Sequence, residues 1–199
     1  MLKKTIIRTS LILVLTFVLG HSNAYSQTLS KEELKLMQDQ MKDSLNSVNY
    51  IEKQAKLEKL LATPPATCGL ESIDGLSTNS KLMIEEQKKT NDLLKTFVGK
   101  LTSNEDGQTE QQAGNKVSSE DILQLLTNVG TQLVAVTDAT LKVTNAATDV
   151  TKLNPMKIGA GKKSLLYSKD AMIGLGTQLA AQSNILKQMQ VYKQAIKNL

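Results

Sequence analysis

The chain has 199 residues, 3% of them aromatic, with one Cys, no Trp and a formal net charge of +5. Its only His, His21, and its only Arg, Arg8, both lie within the first 26 positions, so residues 27–199 carry neither imidazole nor guanidinium. That stretch therefore cannot build a Ser-His-Asp or Cys-His nucleophile, a histidine metal site, or an arginine reader of phosphate or guanine.

Lys3, Lys4 and Arg8 precede an uncharged apolar run, Leu11 to Leu19, and Ala24-Tyr25-Ser26 then offers small residues to a signal peptidase. This is the layout of a secretory signal peptide over residues 1–26, with cleavage before Gln27. The run is shorter than the roughly 20 residues of a membrane-spanning helix, which makes a retained anchor the lesser alternative. We expect a periplasmic or secreted protein that meets the membrane only through this peptide before cleavage. Residues 27–199 then hold 21 basic against 19 acidic residues. A near-neutral, aromatic-poor surface of this kind points to no nucleic-acid partner.

Ser30 and Glu33 are spaced as a capping box, with Leu29 and Leu34 placed as a hydrophobic staple. Leu34, Met37, Met41, Val48, Ile51 and Ala55 recur at helical spacing, which predicts one helix over about 30–62, ended by Pro64-Pro65. A turn-rich stretch from Thr63 to Gly75 holds the lone Cys68, which is either buried and inert or a bridge to another chain. A second helix is predicted over about 77–101, with the stripe Met83, Gln87, Thr90, Leu94, Phe97 and Leu101. The polar segment of about 102–118 is expected to be a flexible loop.

The third element carries Ile122, Leu126, Val129, Leu133, Val136, Thr140, Val143, Ala147 and Val150 at alternating spacings of 4 and 3. Period outranks the strand preference of its Thr and Val residues and predicts a helix with Leu133 in mid-seam. Full burial there implies a cost of roughly 2–5 kcal/mol for Leu133→Ala. Lys157 to Lys163 reads as a connection. A phosphate loop is rejected because Met156 stands where the first Gly is needed and Lys163 where Ser or Thr should follow. The fourth helix is predicted from about Ser164 to the end. Its stripe is Met172, Leu175, Leu179, Leu186, Met189 and Ile196, widened by Ile185, Tyr192 and Leu199. Gly176 and Ala180 offer a small face to a neighbouring helix or mark a kink.

The fold class expected is all-α: an elongated bundle of three to four long helices forming a single domain over 27–199, with an antiparallel helix pair at the C-terminus. The adjacent carboxylates Glu32-Glu33 and Glu85-Glu86 point to different sides of their helices, and no calcium-type loop occurs. We therefore expect no catalytic, cofactor-binding or metal-binding residues, and a protein that is not an enzyme.

The stretch Gly176-Thr177-Gln178-Leu179-Ala180-Ala181-Gln182-Ser183-Asn184-Ile185-Leu186-Lys187-Gln188-Met189-Gln190 resembles the Gln-rich last helix of the periplasmic minor-pilus proteins of type IV secretion and conjugation systems. The resemblance implies a signal peptide, a long-helix bundle with a small appended segment, and assembly with other pilus components, with a role in adhesion to target cells; the partners we expect are other protein subunits, self-association included. It implies no particular functional residue. A membrane-active or adhesive helical protein and a periplasmic holdase chaperone are the alternatives from other classes.

Overall fold

The computed structural model of the protein describes residues 30–102 and 117–197. Among them are five α-helices and no strand: α1 (Lys31–Asn46), α2 (Val48–Ala62), α3 (Glu71–Thr102), α4 (Ser119–Ala146) and α5 (Ile158–Lys197). Two 3-10 turns, Ala147–Lys152 and Pro155–Lys157, join α4 to α5. The all-α class is as expected. The signal peptide and nearly all of the expected loop lie outside the described residues.

The single helix expected over 30–62 is two helices. The Ser30–Glu33 capping box opens α1. Ser47 then leaves helical geometry, with φ −63° and ψ 139°, and its hydroxyl accepts from the Tyr50 amide at 3.3 Å. A serine that can cap a new helix offers the backbone an alternative to continuing the old one. The break resets the helical phase. Tyr50, Gln54 and Leu57 turn inward, while Val48 and Ile51, expected in the core, are 71% and 53% exposed.

Two further boundaries move. The second helix starts at Glu71 rather than 77, because the Leu70 carbonyl accepts from the amides of Ile73 and Asp74 and launches it. The last starts at Ile158 rather than 164, so most of the Gly-Lys connection is helix. Gly161 is there for close approach: a Cβ at that position would collide with the Leu153 side chain. Gly174 does the same for α2, since a Cβ there would stand 2.8 Å from the buried Leu57 side chain. Gly176 has ordinary room beside Val136 of α4, and Ala180 is exposed, so the expected Gly176–Ala180 face is not the point of tightest approach.

α3 and α5 lie side by side; α1 and α2 pack against both, and so does α4. Polar contacts give the directions. Tyr50 meets Asn91 and Gln54 meets Gln87, so α2 and α3 run antiparallel. Tyr50 also meets Gln182, and Gln54 meets Gln178, so α2 and α5 are antiparallel too. The short connection between α4 and α5 and the Val136–Gly176 contact make these two the antiparallel C-terminal pair. At 1.5 Å per residue the 40-residue α5 spans about 60 Å. Gln38 of α1 ties the far end, donating to the Leu101 carbonyl and to Tyr192 Oη, both at 2.8 Å. Lys42 Nζ donates to the Thr102 carbonyl at 3.0 Å. Together they satisfy carbonyls that the end of α3 would otherwise leave unpaired.

The seam of α4 is corrected at alternate positions. Ile122, Val129, Val136, Val143 and Val150 are buried as expected. Between them the inward residues are Leu125, Gln132 and Ala146, with Ala139 partly buried. Leu126 and Leu133 are only partly buried, and Thr140 and Ala147 are exposed. The physical reason is that α4 must face α3 as well as α5. Gln132 turns inward with this face: its Nε2 donates to Thr90 Oγ1 of α3 at 2.9 Å, while its Oε1 is buried without a partner.

Leu179 is fully buried, so Leu179→Ala should cost roughly 2–5 kcal/mol. The partly buried Leu133 should cost about 1 kcal/mol or less when cut to Ala. Thermal melts of the two variants check the order, and a larger loss at Leu133 would contradict the corrected seam.

Candidate functional site

Three features of the structure lie outside ordinary apolar packing. The first is a line of buried polar side chains where α2, α3 and α5 meet. Tyr50 Oη donates to Asn91 Oδ1 at 2.6 Å, and Gln182 Nε2 approaches Tyr50 Oη at 3.4 Å. Gln87 Nε2 donates to Gln54 Oε1 at 3.0 Å, and Gln178 Nε2 reaches the same oxygen at 3.3 Å. Burial pushes the Tyr50 phenol above its ordinary pKa, against the Gln182 and Gln178 hydrogen bonds that lower it. A neutral phenol among neutral amides holds no charge for acid–base work, and the line is structural. The cavity beside it, about 70 Å³, is lined by Met83, Glu86, Thr131, Gln132, Leu175 and Leu179 among others. Ordinary small-molecule sites run from about 300 Å³ upward.

The second is the loop before α3. The Asp74 carboxylate accepts from the amides of Cys68 and Gly69, both at 2.8 Å. Gly69 makes this possible with φ +83°, in the left-handed region that favours glycine. Burial opposes ionisation of Asp74. The amide and thiol of Cys68, the Gly69 amide and the Lys157 ammonium outweigh it and hold the carboxyl below its usual pKa. Cys68 is buried, and burial, with the Asp74 charge beside it, pushes its thiol pKa up. A protonated, covered thiol is a poor nucleophile, so of the two sequence readings the buried, inert one fits. The Cys68–Asp74 link was missed in the sequence, although an acidic residue in the first turn of a helix just after a Cys-Gly pair was a usable signal.

The paired carboxylates do not come together as a site. Glu33 Oε2 is engaged by the Ser30 amide and hydroxyl at 2.8 and 2.9 Å, and Glu85 lies 3.9 Å from Lys81. Among the described residues no group of three or more His, Cys, Asp or Glu is arranged to hold a metal.

The third feature is the outer face of α4. Ser118 caps this helix in a box with Asp121, whose carboxyl is held below its usual pKa by the Ser118 hydroxyl and amide. From Ile122 to Thr137 no residue is charged. On the side away from the core stand Leu123, Val134 and Leu141, which are 50%, 63% and 62% exposed. With them come Thr127, Gly130 and Thr137, all exposed. The threonines keep their hydroxyls busy along the helix: Thr127 donates to the Leu123 carbonyl at 2.9 Å, Thr137 to Leu133 and Thr144 to Thr140, both at 3.0 Å. This back-bonding satisfies the threonine hydroxyls within their own helix. The sequence reading missed the outer stripe by assigning only an inner seam, although a second 4,3 repeat ran through the same residues.

No family model, curated protein or solved structure matches this chain.

The Asp74 geometry gives a pH prediction. A carboxyl whose folded-state pKa is depressed stabilises fully above its unfolded pKa of about 3.9, and that contribution is lost as pH falls through the folded value. Asp74→Asn should therefore cost about 1–2 kcal/mol at neutral pH, with the gap to the parent closing in acid. Alkylation of Cys68 should be slow in the folded parent and faster in the variant. Labelling of the folded parent at the rate of a free thiol would contradict the buried geometry.

Proposed function

We propose that this chain is an exported, non-enzymatic helical protein that works through contacts with other protein subunits, as a pilus-associated component of a conjugation or type IV secretion apparatus. The observation that carries the reading is the uncharged, self-satisfied outer stripe of α4 between Asp121 and Asp138. It places Leu123, Val134 and Leu141 on one exposed side of α4, apolar surface that a neighbouring subunit would cover. The first 26 residues support export. In the stretch that resembles the minor-pilus helix, Gln178, Leu179, Gln182, Ile185, Leu186 and Met189 are all buried. That likeness therefore bears on how the bundle is built and leaves docking to other surfaces.

Protein contact is favoured over membrane insertion by two observations. No helix among the described residues is long and apolar enough to cross a membrane. The outer stripe also alternates Thr and Gly with its apolar residues, which suits interdigitation with another helix.

Cell fractionation with N-terminal sequencing, joined to in-cell photo-crosslinking, tests the reading. The chain should begin at Gln27 in the exported fraction. A photo-crosslinker at Val134 should capture defined protein subunits, and one at the exposed Lys88 of α3 should not. A cytosolic chain with Met1 intact would overturn export. Equal yields from both positions would overturn the assignment of the face.

A further inference from the structure

The line of amides between α2, α3 and α5 holds α2 less firmly than its burial suggests. Glu58 accepts from Gln54 Nε2 at 3.3 Å, and a carboxylate cannot donate back, so Gln54 turns its oxygen inward. That oxygen receives Gln87 Nε2 at 3.0 Å and Gln178 Nε2 at 3.3 Å, and Gln178 Nε2 also reaches the Tyr50 carbonyl at 3.3 Å. Tyr50 gives its one hydroxyl proton to Asn91, which leaves Gln182 to approach the phenol oxygen with its own Nε2 at 3.4 Å. Gln87, Gln178 and Gln182 thus all present nitrogen to α2. Their oxygens are left over: each Oε1 is sealed from solvent and meets no donor.

Docking α2 therefore gains little from polar contacts. The bonds from Gln178 and Gln182, at 3.3–3.4 Å, are long for an N–H donor. Against them stand three acceptors that would regain water if α2 lifted, each favouring the open state by about fivefold or more. Apolar packing does not make up the difference. α1 buries Leu34, Met37, Met41 and Leu45, whereas α2, nearly as long, buries only Tyr50 and Leu57 beside Gln54. A helix of this length has little stability of its own.

Both ends of α2 leave helical geometry, at Ser47 and at Thr63, where φ is −128° and ψ 60°. Beyond them the chain is anchored separately. α1 is held by its apolar face and Gln38, and the loop after α2 by the bonds from the Cys68 and Gly69 amides to Asp74. We propose that α2 is a releasable cover: it separates from α3 and α5 as a unit while α1, α3, α4 and α5 stay assembled, and so bares a polar floor of Gln87, Asn91, Gln178 and Gln182. Release of α2 does not involve the outer face of α4 and stands apart from the interaction reading. Gln132 Oε1 also lacks a partner, but α4 is held by Ile122, Leu125, Val129, Val136 and Val143, all buried, and does not lift with α2.

Native-state hydrogen exchange of the purified chain reads the opening directly. With three unfilled acceptors at about fivefold each, the amides of residues 54–60 should exchange about 100-fold faster than those of 125–136 and 175–186, after correction for intrinsic rates. The α2 rates should also depend little on low denaturant, because a local opening exposes little surface. Gln182→Met keeps the side-chain length and removes one unfilled oxygen, so it should slow α2 exchange about fivefold. Val129→Ala, in the core of α4, should hasten exchange across α4 and α5 and leave α2 as it was, since α4 stays packed when α2 lifts. Exchange of α2 at the rate of α4 and α5 overturns the proposal. So does α1 opening in step with α2, α2 exchange no slower in Gln182→Met, or a response of α2 to Val129→Ala equal to that of α4.

Discussion

A buried hydrogen bond, from Gln132 Nε2 to Thr90 Oγ1 at 2.9 Å, marks which way α4 faces, with the Gln132 Oε1 oxygen buried beside it without a partner. Apolar residues alone would let the helix settle in more than one rotation, because Leu126 and Leu133 flank one side of the valine column and Leu125 flanks the other. Turning Leu133 fully inward would carry Gln132 toward solvent and leave the buried Thr90 without its donor. Losing one partner of a buried hydrogen bond costs more than the bond itself contributes, a cost set against that of the Gln132 Oε1 oxygen, which the observed rotation buries without a partner. The helix sits with Gln132 in the core, where Leu125, Val129 and Val136 are buried on the same face. The stripe from Leu123 to Leu141 is left outside as a consequence.

The same logic runs through the rest of the bundle. Tyr50, Gln54, Gln87, Asn91, Gln178 and Gln182 form a ladder in which each rung pairs specific positions on α2, α3 and α5. Leucine and methionine tolerate a slide by one turn, since one apolar contact replaces another. Amides do not. Moving α2 along α3 by one turn would set Tyr50 opposite Gln87 and Gln54 opposite Met83, and the Asn91 oxygen would lose its phenol donor. The long central α5 needs such markers, because it is buried among the other helices along much of its length and its apolar pattern selects no single register. Gln38, bridging the Leu101 carbonyl and Tyr192, fixes the far end in the same way.

Much of the architecture was legible in the sequence. The Ser30–Glu33 box, the all-helical class and the C-terminal pair stand as read. The stripe of Met172, Leu175, Leu179, Leu186, Met189 and Ile196 is buried throughout. Most of what was not legible turns on polar side chains. Outside the second helix, where Gln87 belongs to the stripe, the pattern puts Gln, Asn and Ser outward, and Ser47 and Gln132 lie at a helix boundary and in the core. Ser47 looked like one more polar position in a continuous helix, yet it caps α2 and shifts its phase. Gln132 looked like surface beside Leu133, yet it is the core residue. Gly161 looked like part of a loop, yet it is a helical glycine under Leu153. The candidate face was hidden for the same reason, since Thr127 and Thr137 count as polar until their hydroxyls are traced to their own helix.

The rotation of α4 ties core to function, and cysteine accessibility measures it most directly. Single cysteines at positions 125, 126, 132, 133 and 134 would be labelled with a maleimide in the folded protein. With Leu125 and Gln132 buried, Leu126 and Leu133 partly buried and Val134 exposed, the rate should be highest at 134, intermediate at 126 and 133, and lowest at 125 and 132. Fast labelling at 132 with protection at 133 would show that the leucine seam faces the core after all, and would remove both the role given to Gln132 and the outward stripe that depends on it.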